Sequence, residues 1–399
     1  MEKQPLNIGV INPYALAEVV LGRPVRWNQI SNPEELLEST LQTPFEKLFD
    51  PKDASPLYAG LELQKDKTMR RLEGEEAMKS VDKVAIPGAR MLESVKPMKI
   101  DADRVRTALR TVLSPNEKAA ADWNPPKTAW IDMGDFFEET TEPGDPLQGA
   151  LGDCYFIAAL GAVSWARPYV IAHRNRRTGM QQEAFVDMVE FFDNGARHQV
   201  EVSERLPVTE PMHHFKFAKS SEVGEVWPAV YEKAYAKMKT GTKSDHPEYP
   251  KIAGGDPVRA CAELINGSRH YVWTAAHSPH ELWQEVRKQS LSCRTVNPMV
   301  AWTYPSSAAA PDPDVDYGKF RIVANHAYTV LGWTFQDNEK YIVLRNPWGT
   351  HIPTQDVLSG KWYAHDVTYW RPTQLNNRGF FALKASTFKK YFQGLGYAK

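Results

Sequence analysis

A long apolar run spans residues 152–167 and reads GDCYFIAALGAVSWAR. A glycine and an aspartate open it, and apolar side chains fill almost every later position. A run of this length exceeds a typical strand and suits a helix. We therefore predict a helix from Gly152 to about Arg167, with Cys154 in its first turn.

Patterns elsewhere divide the chain into a helix-rich first half and a strand-rich second half. EVWPAVYEKAYAKM and HELWQEVRKQSL have apolar residues at helical spacing. The sequence Asp193-Asn194-Gly195, between two extended runs, predicts a β-hairpin. The end of the chain holds three aromatic, β-rich runs: FRIVANHAYTVLGWTF, EKYIVLRNPWG and RGFFALKASTFKKYF. This order of elements predicts an α+β fold with two lobes.

The first part of the chain differs in character from the rest. Helix-like segments such as SNPEELLESTL and DADRVRTALRTVL alternate with proline-bearing loops, and the composition shifts at DWNPPKTAW, residues 122–130. We predict a helical N-terminal extension over residues 1–118, a helical first lobe over residues 119–255 and a β-rich second lobe over residues 256–399. The extension shows no candidate chemistry, so we expect it to be accessory or regulatory.

Composition and charge exclude several classes of protein. The 399 residues include 48 basic and 49 acidic side chains, a balance that disfavours a nucleic-acid binder. No stretch approaches the roughly 20 apolar residues that span a bilayer, and the N-terminus lacks the pattern of a secretory signal. Three cysteines at unrelated spacings form neither a disulfide framework nor a zinc pattern. We expect a cytoplasmic protein, with secretion by a signal-less route left open.

Cys154 has the sequence context of a reactive thiol. At the start of a helix, unpaired N–H groups and the helix dipole favour an anion. Beside a cationic imidazole, a thiol pKa falls from about 8.5 to roughly 3–7. Gly149 and Gly152 leave room for a substrate backbone. We predict a nucleophilic thiolate at neutral pH, and the alternative is an inert, packed thiol.

His326 is the histidine whose surroundings best suit a partner base. NHAYTVLGWTFQDNEKYIVLRNPWG holds two extended runs around a polar turn and predicts an antiparallel hairpin. With the turn centred near Gln336, Asn346 would lie almost opposite His326, with about 5 Å between their Cβ atoms. Asn346 would then accept a hydrogen bond from one ring nitrogen and leave the other for the thiol, and Trp348 would cover that bond. The alternative is that the pair only caps the hairpin.

Gln148 lies in the loop before the predicted helix. Acyl transfer develops negative charge on an oxygen, and aimed donors stabilise that charge. The Gln148 amide and the Cys154 backbone N–H would supply two such donors. The alternative is that Gln148 is an ordinary polar loop residue.

Three blocks of the sequence, QGALGDCYFIAAL, NHAYTV and LRNPWG, together resemble the catalytic blocks of calpains, which are papain-like intracellular cysteine proteases. The similarity covers about residues 122–399. It implies a papain-like two-lobe core that hydrolyses peptide bonds through a Cys-His-Asn triad and a thioester acyl-enzyme. By this resemblance Cys154 is the nucleophile, His326 the base and acid, and Asn346 the residue that orients His326. Gln148 is an oxyanion donor on the same grounds.

The resemblance also implies residues that contact the substrate. The glycine pair of AGGDP, Gly254 and Gly255, matches the segment that borders the calpain cleft. Asn325 stands before the histidine, where calpains usually have glycine, and we expect its backbone to bond the substrate and its side chain to narrow the cleft.

Calpain cores bind calcium, and Asp145 and Glu222 fall at positions that match calpain ligands by this resemblance. Carboxylate oxygens suit Ca²⁺. The alternative is that both are solvated loop acids. Three further aspartates lie in SSAAAPDPDVDYGKF, which is not an EF-hand loop. We hypothesise calcium activation and expect no organic cofactor.

Protein or peptide substrates follow from the resemblance, and the N-terminal extension is the candidate for an inhibitory or regulatory element. Two alternative functions stay open. One is a transglutaminase-like acyl transferase that uses the same triad. The other is a catalytically silent binding module that kept the fold.

Overall fold

The structure, a computed structural model, describes residues 6–21, 122–138, 140–181, 184–210, 213–364 and 372–399. The two helix-like segments predicted between residues 22 and 121 lie outside this part of the chain. Of the predicted N-terminal extension, residues 6–21 are described, and they include a helix at Pro13–Leu21.

Helices of the described residues include those predicted from the apolar patterns. Their bounds are α1 Pro13–Leu21, α2 Cys154–Ala166, α3 Pro168–His173, α4 Trp227–Thr240, α5 Pro257–Ile265, α6 Pro279–Lys288, α7 Tyr317–Phe320 and α8 Ala385–Tyr391. Short 3₁₀ turns lie at Tyr249–Ile252, Thr274–Ala276 and Ser307–Ala309. The predicted helices that contain residues 154–166, 227–240 and 279–288 are confirmed as α2, α4 and α6. Helix α5 was not predicted, although Asp256 caps it by accepting hydrogen bonds from the backbone N–H groups of Val258 and Arg259.

Strands alternate with these helices and form several antiparallel sheets. Their bounds are β1 Thr128–Asp132, β2 Asn175–Gln181, β3 Ala184–Asp193, β4 Ala196–Ser203, β5 Arg205–Thr209, β6 Arg269–Trp273, β7 Ser290–Leu291, β8 Arg294–Thr303, β9 Ala327–Gln336, β10 Glu339–Arg345, β11 Val357–Leu358, β12 Lys361–Trp362, β13 Thr373–Gln374, β14 Phe380–Lys384 and β15 Phe392–Ala398. The largest sheet has eight strands in the order β11-β14-β10-β9-β8-β15-β6, with β7 beside β8. This mixture of helices and antiparallel strands confirms the predicted α+β class.

The hairpin predicted around Asp193-Asn194-Gly195 is confirmed within the three-stranded sheet β2-β3-β4. Asp193 pairs with Ala196 across the turn. Asn194 and Gly195 between them have φ angles of 49° and 86°, the left-handed conformation that this kind of tight turn requires.

Helix α2 lies at the centre of the molecule, and its burial explains its composition. Every residue from Cys154 to Trp165 is buried, so the helix is apolar on all sides. Thr329 Oγ1 donates to the Ala158 carbonyl at 2.8 Å and links α2 to strand β9 of the large sheet. A Cβ atom at Gly161 would lie 2.8 Å from Thr329 Oγ1, so glycine permits this close approach of helix and strand.

Two large groups of buried residues lie on either side of the eight-stranded sheet. One includes α2, α4 and α5 together with residues from the 8–16 segment. The other lies between the eight-stranded sheet and helices α6 and α8. The sheet therefore separates two parts of the core, and the buried residues at the start of α2 belong to the first of them.

Parts of the β-rich prediction were wrong. FRIVAN was predicted as extended, but Tyr317–Phe320 is a helical turn and strand β9 begins only at Ala327. In RGFFALKASTFKKYF, strand β14 covers only Phe380–Lys384 and is followed directly by helix α8. No helix of the described residues is long and apolar enough to span a membrane.

Candidate active site

Cys154 is the first residue of helix α2 and is fully buried. Burial raises the pKa of its thiol to about 12, and the charge of the neighbouring Asp153 adds to this increase. Hydrogen bonds from the main chain of Ala327, Val10 and Tyr155 act in the opposite direction. Since Ala327 directly follows His326, the thiol lies beside the strand that begins after the histidine.

His326 is fully buried and contacts Asn346 through one ring nitrogen. Its Nε2 lies 2.9 Å from Asn346 Oδ1, whereas Nδ1 has no hydrogen-bond partner among the described residues. Burial lowers the pKa of His326 to about 3, and the bond to Asn346 offsets only part of that effect. The imidazole is therefore neutral at physiological pH.

The orientation of the Asn346 amide determines which tautomer His326 adopts. The Trp348 backbone N–H donates to Asn346 Oδ1 at 3.0 Å, and Asn346 Nδ2 donates to the His351 carbonyl at 2.8 Å. These two hydrogen bonds identify Oδ1 as the acceptor end of the amide. The bond between Oδ1 and His326 therefore requires a hydrogen on Nε2. Nδ1 then carries the lone pair and is the basic nitrogen of the ring.

The predicted cross-strand pairing of His326 and Asn346 was wrong in its register. Gln336 pairs with Glu339, so the turn is centred on Asp337 and Asn338 rather than on Gln336. A bulge between Val343 and Leu344 shifts the later pairs. Both residues lie just beyond the paired strands, one before β9 and one after β10, and their side chains meet there.

Trp348 packs against this pair, as the sequence predicts. Its ring centroid lies 4.8 Å from that of His326. Its Nε1 donates to Gln148 Oε1 at 2.8 Å, so the indole joins the histidine side of the site to the loop before helix α2. The side chain is 1% exposed, which excludes bulk water from the His326–Asn346 bond.

Gln148 is fully buried and its side-chain amide faces the thiol side of the site. Nε2 donates to the carbonyl oxygens of Val10 and Leu151, each at 2.5 Å. The bond from Trp348 to Oε1 fixes the orientation of the amide, because it makes the other end the donor. A carbonyl of the chain's own N-terminal segment therefore occupies the donor that we assigned to an oxyanion.

The residues that we predicted to contact substrate also contact the N-terminal segment, residues 6–12. Ile8 exchanges two main-chain hydrogen bonds with Gly255, of 2.8 and 3.0 Å, in an antiparallel bridge. Asn325 Nδ2 donates to the Gly9 carbonyl at 3.2 Å. At Gly254 a Cβ atom would lie 2.4 Å from Asn7 Oδ1. Gly254, Gly255 and Asn325 are thus brought together around residues 7–9.

This occupation of the site was not predicted. Leu6–Asn12 reads LNIGVIN, a short apolar stretch with no periodicity that indicates where it docks. Only the folded chain places it against residues more than a hundred positions away in sequence.

The predicted thiolate is also contradicted in this state of the molecule. The helix terminus lies where we expected it, but the imidazole of His326 is neutral and the Cys154 sulfur is excluded from water. Both conditions favour the uncharged thiol. Cys154 is therefore held as an uncharged thiol, and His326 as a neutral imidazole.

A buried carboxyl pair lies next to Cys154. Asp153 and Glu232 are both buried and interact electrostatically, and burial raises the pKa of Asp153 to about 7 and that of Glu232 well above its usual range. One proton shared between the two acids relieves the repulsion between them. The sequence analysis did not identify this pair.

The predicted calcium ligands have different surroundings. Asp145 is buried, accepts hydrogen bonds from the Glu142 backbone and Trp227 Nε1, and has its pKa raised to about 7 by burial and by the charge of Glu225. Glu222 is partly exposed and pairs with Arg378 at 3.2 Å. Glu225, which the sequence analysis missed, is the buried carboxylate that acts on Asp145, and its own pKa is raised by burial.

No group of three or more His, Cys, Asp or Glu side chains that could hold a metal ion occurs within the described ranges. Two of the three aspartates before the histidine block have structural partners instead. Asp312 pairs with Lys390 at 3.3 Å, and Asp316 caps helix α7 by accepting from the Lys319 backbone.

Comparisons with known proteins agree with the fold. The family model described as calpain family cysteine protease matches residues 103–398. The chain is 29% identical to a thiol protease of Porphyromonas gingivalis (strain ATCC BAA-308 / W83) over an alignment of 431 positions, gaps included, which covers 98% of this chain and 87% of that protein. It is 28% identical to human calpain-8 over 265 residues, or 63% of this chain and 35% of that protein. It is also 28% identical to the mouse calpain-2 catalytic subunit over 224 residues, or 55% of this chain and 29% of that protein.

The chain spans about a third of the length of these two calpains and most of the length of the bacterial relative. The mixed helix and sheet architecture that the family model covers is that of a papain-like cysteine protease core. Within this class, the chain belongs to the calpain family of cysteine proteases.

Proposed function

We propose that this chain is a cysteine endopeptidase that hydrolyses protein substrates with Cys154 as nucleophile and His326 as general base and acid. The observation that carries the proposal is the difference between the two ring nitrogens of His326. Nε2 is held by Asn346 at 2.9 Å, and Nδ1 is buried without a partner in the described part of the chain. The backbone next to this ring hydrogen-bonds to the Cys154 thiol, so a base and a nucleophile adjoin.

In the acylation step, His326 Nδ1 takes the thiol proton as the sulfur bonds to the carbonyl carbon of the substrate. The carbonyl electron pair moves onto oxygen, where Gln148 Nε2 and the Cys154 N–H donate to it. When the tetrahedral intermediate collapses, the C–N bond breaks and Nδ1–H protonates the departing nitrogen. A thioester on Cys154 remains.

In the deacylation step, Nδ1 takes a proton from a water molecule whose oxygen attacks the thioester carbon. The C–S bond breaks, the sulfur regains its proton from Nδ1, and the carboxylic acid product leaves. Asn346 keeps the ring in the tautomer and orientation that both steps require, in the manner of the third member of a triad. Trp348 shields the His326–Asn346 bond from water.

Substrate backbone would bind where the N-terminal segment lies. The Gly255 main chain pairs with an extended strand, Gly254 leaves room beside it, and Asn325 Nδ2 donates to a carbonyl. In this proposal the first lobe, residues 119–255, provides the nucleophile and the second lobe, residues 256–399, provides His326 and Asn346.

We also propose that calcium activates the protein. Asp145 and Glu225 would be the two buried carboxylate ligands, and Glu222, which the sequence analysis suggested, stays a third candidate ligand. Two buried carboxylates that repel each other fit a divalent cation, whose charge would stabilise both ionised groups. The other ligands would be backbone carbonyls and water. When bound, the ion would supply positive charge at the loop that precedes Gln148.

Analysis of reaction products tests the proposed function and separates it from acyl transfer. The protein is incubated with an unfolded protein substrate with and without Ca²⁺, and products are identified by mass spectrometry. Hydrolysis gives new peptide termini that are absent with the Cys154→Ala variant. Isopeptide cross-links would indicate the transferase instead.

A further inference from the structure

Residues 6–12 pass through the proposed substrate cleft as an extended strand. Ile8 pairs with Gly255 in an antiparallel bridge, and Gly255 is the residue that we expect to pair with a substrate backbone. Gly9 and Val10 then place their carbonyl groups on the side-chain amides of Asn325 and Gln148. Each of these contacts is one that a bound peptide would make in the proposed reaction.

The fit at Gly9 is steric and admits no larger residue. A Cβ atom on Gly9 would lie 2.4 Å from the Gly152 carbonyl oxygen and 2.6 Å from the Gly254 Cα atom. Real Cβ atoms do not approach backbone this closely, and neither neighbour is the end of a flexible side chain. The Gly254 N–H donates to the Gly152 carbonyl at 2.8 Å, which holds these two walls together.

The segment that follows anchors the strand in place. Asn12 Nδ2 donates to the Gln148 carbonyl at 2.7 Å. The ring of Tyr14 packs edge-on to Trp348, with 6.5 Å between ring centroids. On helix α1, Glu18 pairs with Lys219 at 2.9 Å, and both are partly or fully shielded from solvent. These contacts involve both sides of the proposed site.

We propose that residues 6–12 are a tethered peptide ligand of the catalytic cleft, which holds the protease latent until it is displaced or removed. The inference rests on the proposed function, because a latent state requires a cleft that can bind and cleave a substrate. It extends that function to a peptide class: an extended strand with glycine at the narrowest point and branched apolar residues on either side, as in Ile8-Gly9-Val10.

The presence of residues 6–12 in the cleft also explains why the Cys154 thiol is uncharged. Val10 lies against the thiol and removes it from water, so the nucleophile is held as an uncharged thiol. Departure of the strand would admit water and substrate together. The contact of Val10 with Cys154 would therefore have two consequences: it blocks the cleft, and it keeps the thiol uncharged.

The test compares the full-length wild type with Gly9→Val, which drives a side chain into the Gly152 carbonyl. Gly179→Val is the matched control, because a Cβ atom at Gly179 meets nothing within 4 Å. Two rates are measured for each protein: alkylation of Cys154 by iodoacetamide, located by peptide mapping, and cleavage of an unfolded protein. We expect both rates to rise at least 10-fold in Gly9→Val and to be unchanged in Gly179→Val.

Equal rates of Cys154 alkylation in wild type and Gly9→Val would overturn the proposal. If alkylation accelerates but no protein cleaves the substrate, the tethered ligand stands and the proposed protease activity fails. If all three proteins cleave the substrate equally well, the protease activity stands and the tethered ligand fails. The two ideas therefore fail separately.

A second variant avoids dependence on the folding of Gly9→Val. Glu18→Lys places a cation against Lys219 and should loosen helix α1, so alkylation of Cys154 should again accelerate. Its control is Glu285→Lys, which reverses the charge of a residue whose partner, Lys288, is 67% exposed. A synthetic peptide of residues 6–12, added to Gly9→Val, should restore slow alkylation, and a peptide with valine at the glycine position should not. Failure of both Glu18→Lys and the peptide to change the rate would overturn the proposal.

Discussion

Ile8 and Gly255 exchange both of their main-chain hydrogen bonds, at 2.8 and 3.0 Å, across the edge of the proposed cleft. Because the pairing uses main-chain atoms, any extended strand can form it, and selectivity must come from the space beside it. Here that space admits glycine at position 9. Residues 8 and 9 therefore indicate how an extended peptide would bind in the cleft.

Removal of the Asn346 side chain should reduce turnover. Asn346→Ala leaves His326 Nε2 without its partner and frees the ring to rotate or change tautomer, so kcat should fall roughly 100-fold or more with a smaller change in KM. Steady-state kinetics on a peptide substrate, with each substitution made in the Gly9→Val background, measure both constants. Asn297→Ala is the control, since Asn297 bonds to Gln289 and Arg167 far from the site. An unaltered kcat in Asn346→Ala would show that the bond only supports the hairpin.

The reactivity of Cys154 should depend on pH in a way that reports the filled cleft. Burial raises the pKa of the thiol to about 12, so in the wild type it stays protonated at neutral pH and its alkylation rate should still be rising above pH 10. In Gly9→Val, access of water should move the inflection to lower pH. Rates of iodoacetamide labelling from pH 6 to pH 11 provide the profile. A wild-type plateau already reached below pH 8 would contradict the neutral thiol.

Asp145 should make the protein less stable as pH rises in the absence of metal. Its folded-state pKa is raised from 3.8 to about 7, so the folded chain holds a proton that the unfolded chain releases between these values. The destabilisation is absent below pH 4 and complete above pH 7, with a limit of about 4 kcal/mol. Urea unfolding in chelator should therefore show Asp145→Asn gaining stability relative to wild type from pH 4 to pH 8. Asp337→Asn, in an exposed turn, is the control, and a difference that does not vary with pH would refute the burial effect.

Calcium should raise the melting temperature through the same carboxylates. A ligand that binds the folded state stabilises it by mass action, so wild type should melt at a higher temperature with Ca²⁺ than with chelator. Asp145→Asn and Glu225→Gln should lose most of this shift. Glu222→Gln tests the original hypothesis separately, because Glu222 already has Arg378 as a partner. A calcium shift that survives loss of both buried carboxylates would place the ion elsewhere.

The sequence predicted those features that have local signals. The apolar run after Cys154, the Asn194-Gly195 turn and the periodic helices are encoded in adjacent residues, and each was found where it was expected. The register of His326 and Asn346 was missed because a bulge at Val343 leaves no distinctive residue pattern. Their contact formed nonetheless, since both lie at strand ends that converge.

Long-range contacts could not be predicted from local patterns. Residues 6–12 carry no periodicity, and their position depends on the shape of a groove made by Gly152, Gly254 and Asn325, which are distant in sequence. The state of the thiol depends on this same contact, so the predicted thiolate was wrong for the filled site. Glu222 was proposed from its match to calpain positions, and the burial of the nearby Glu225 has no signal in the local sequence.

Cleavage of an unfolded protein by Gly9→Val and by the double variant Gly9→Val/Cys154→Ala, compared in Ca²⁺, shows whether the Cys154 sulfur performs the reaction. New peptide termini are counted by mass spectrometry, with wild type measured alongside. We predict termini that accumulate with Gly9→Val and are absent with the double variant. Termini that appear equally with both variants would show that the Cys154 sulfur does not perform the reaction.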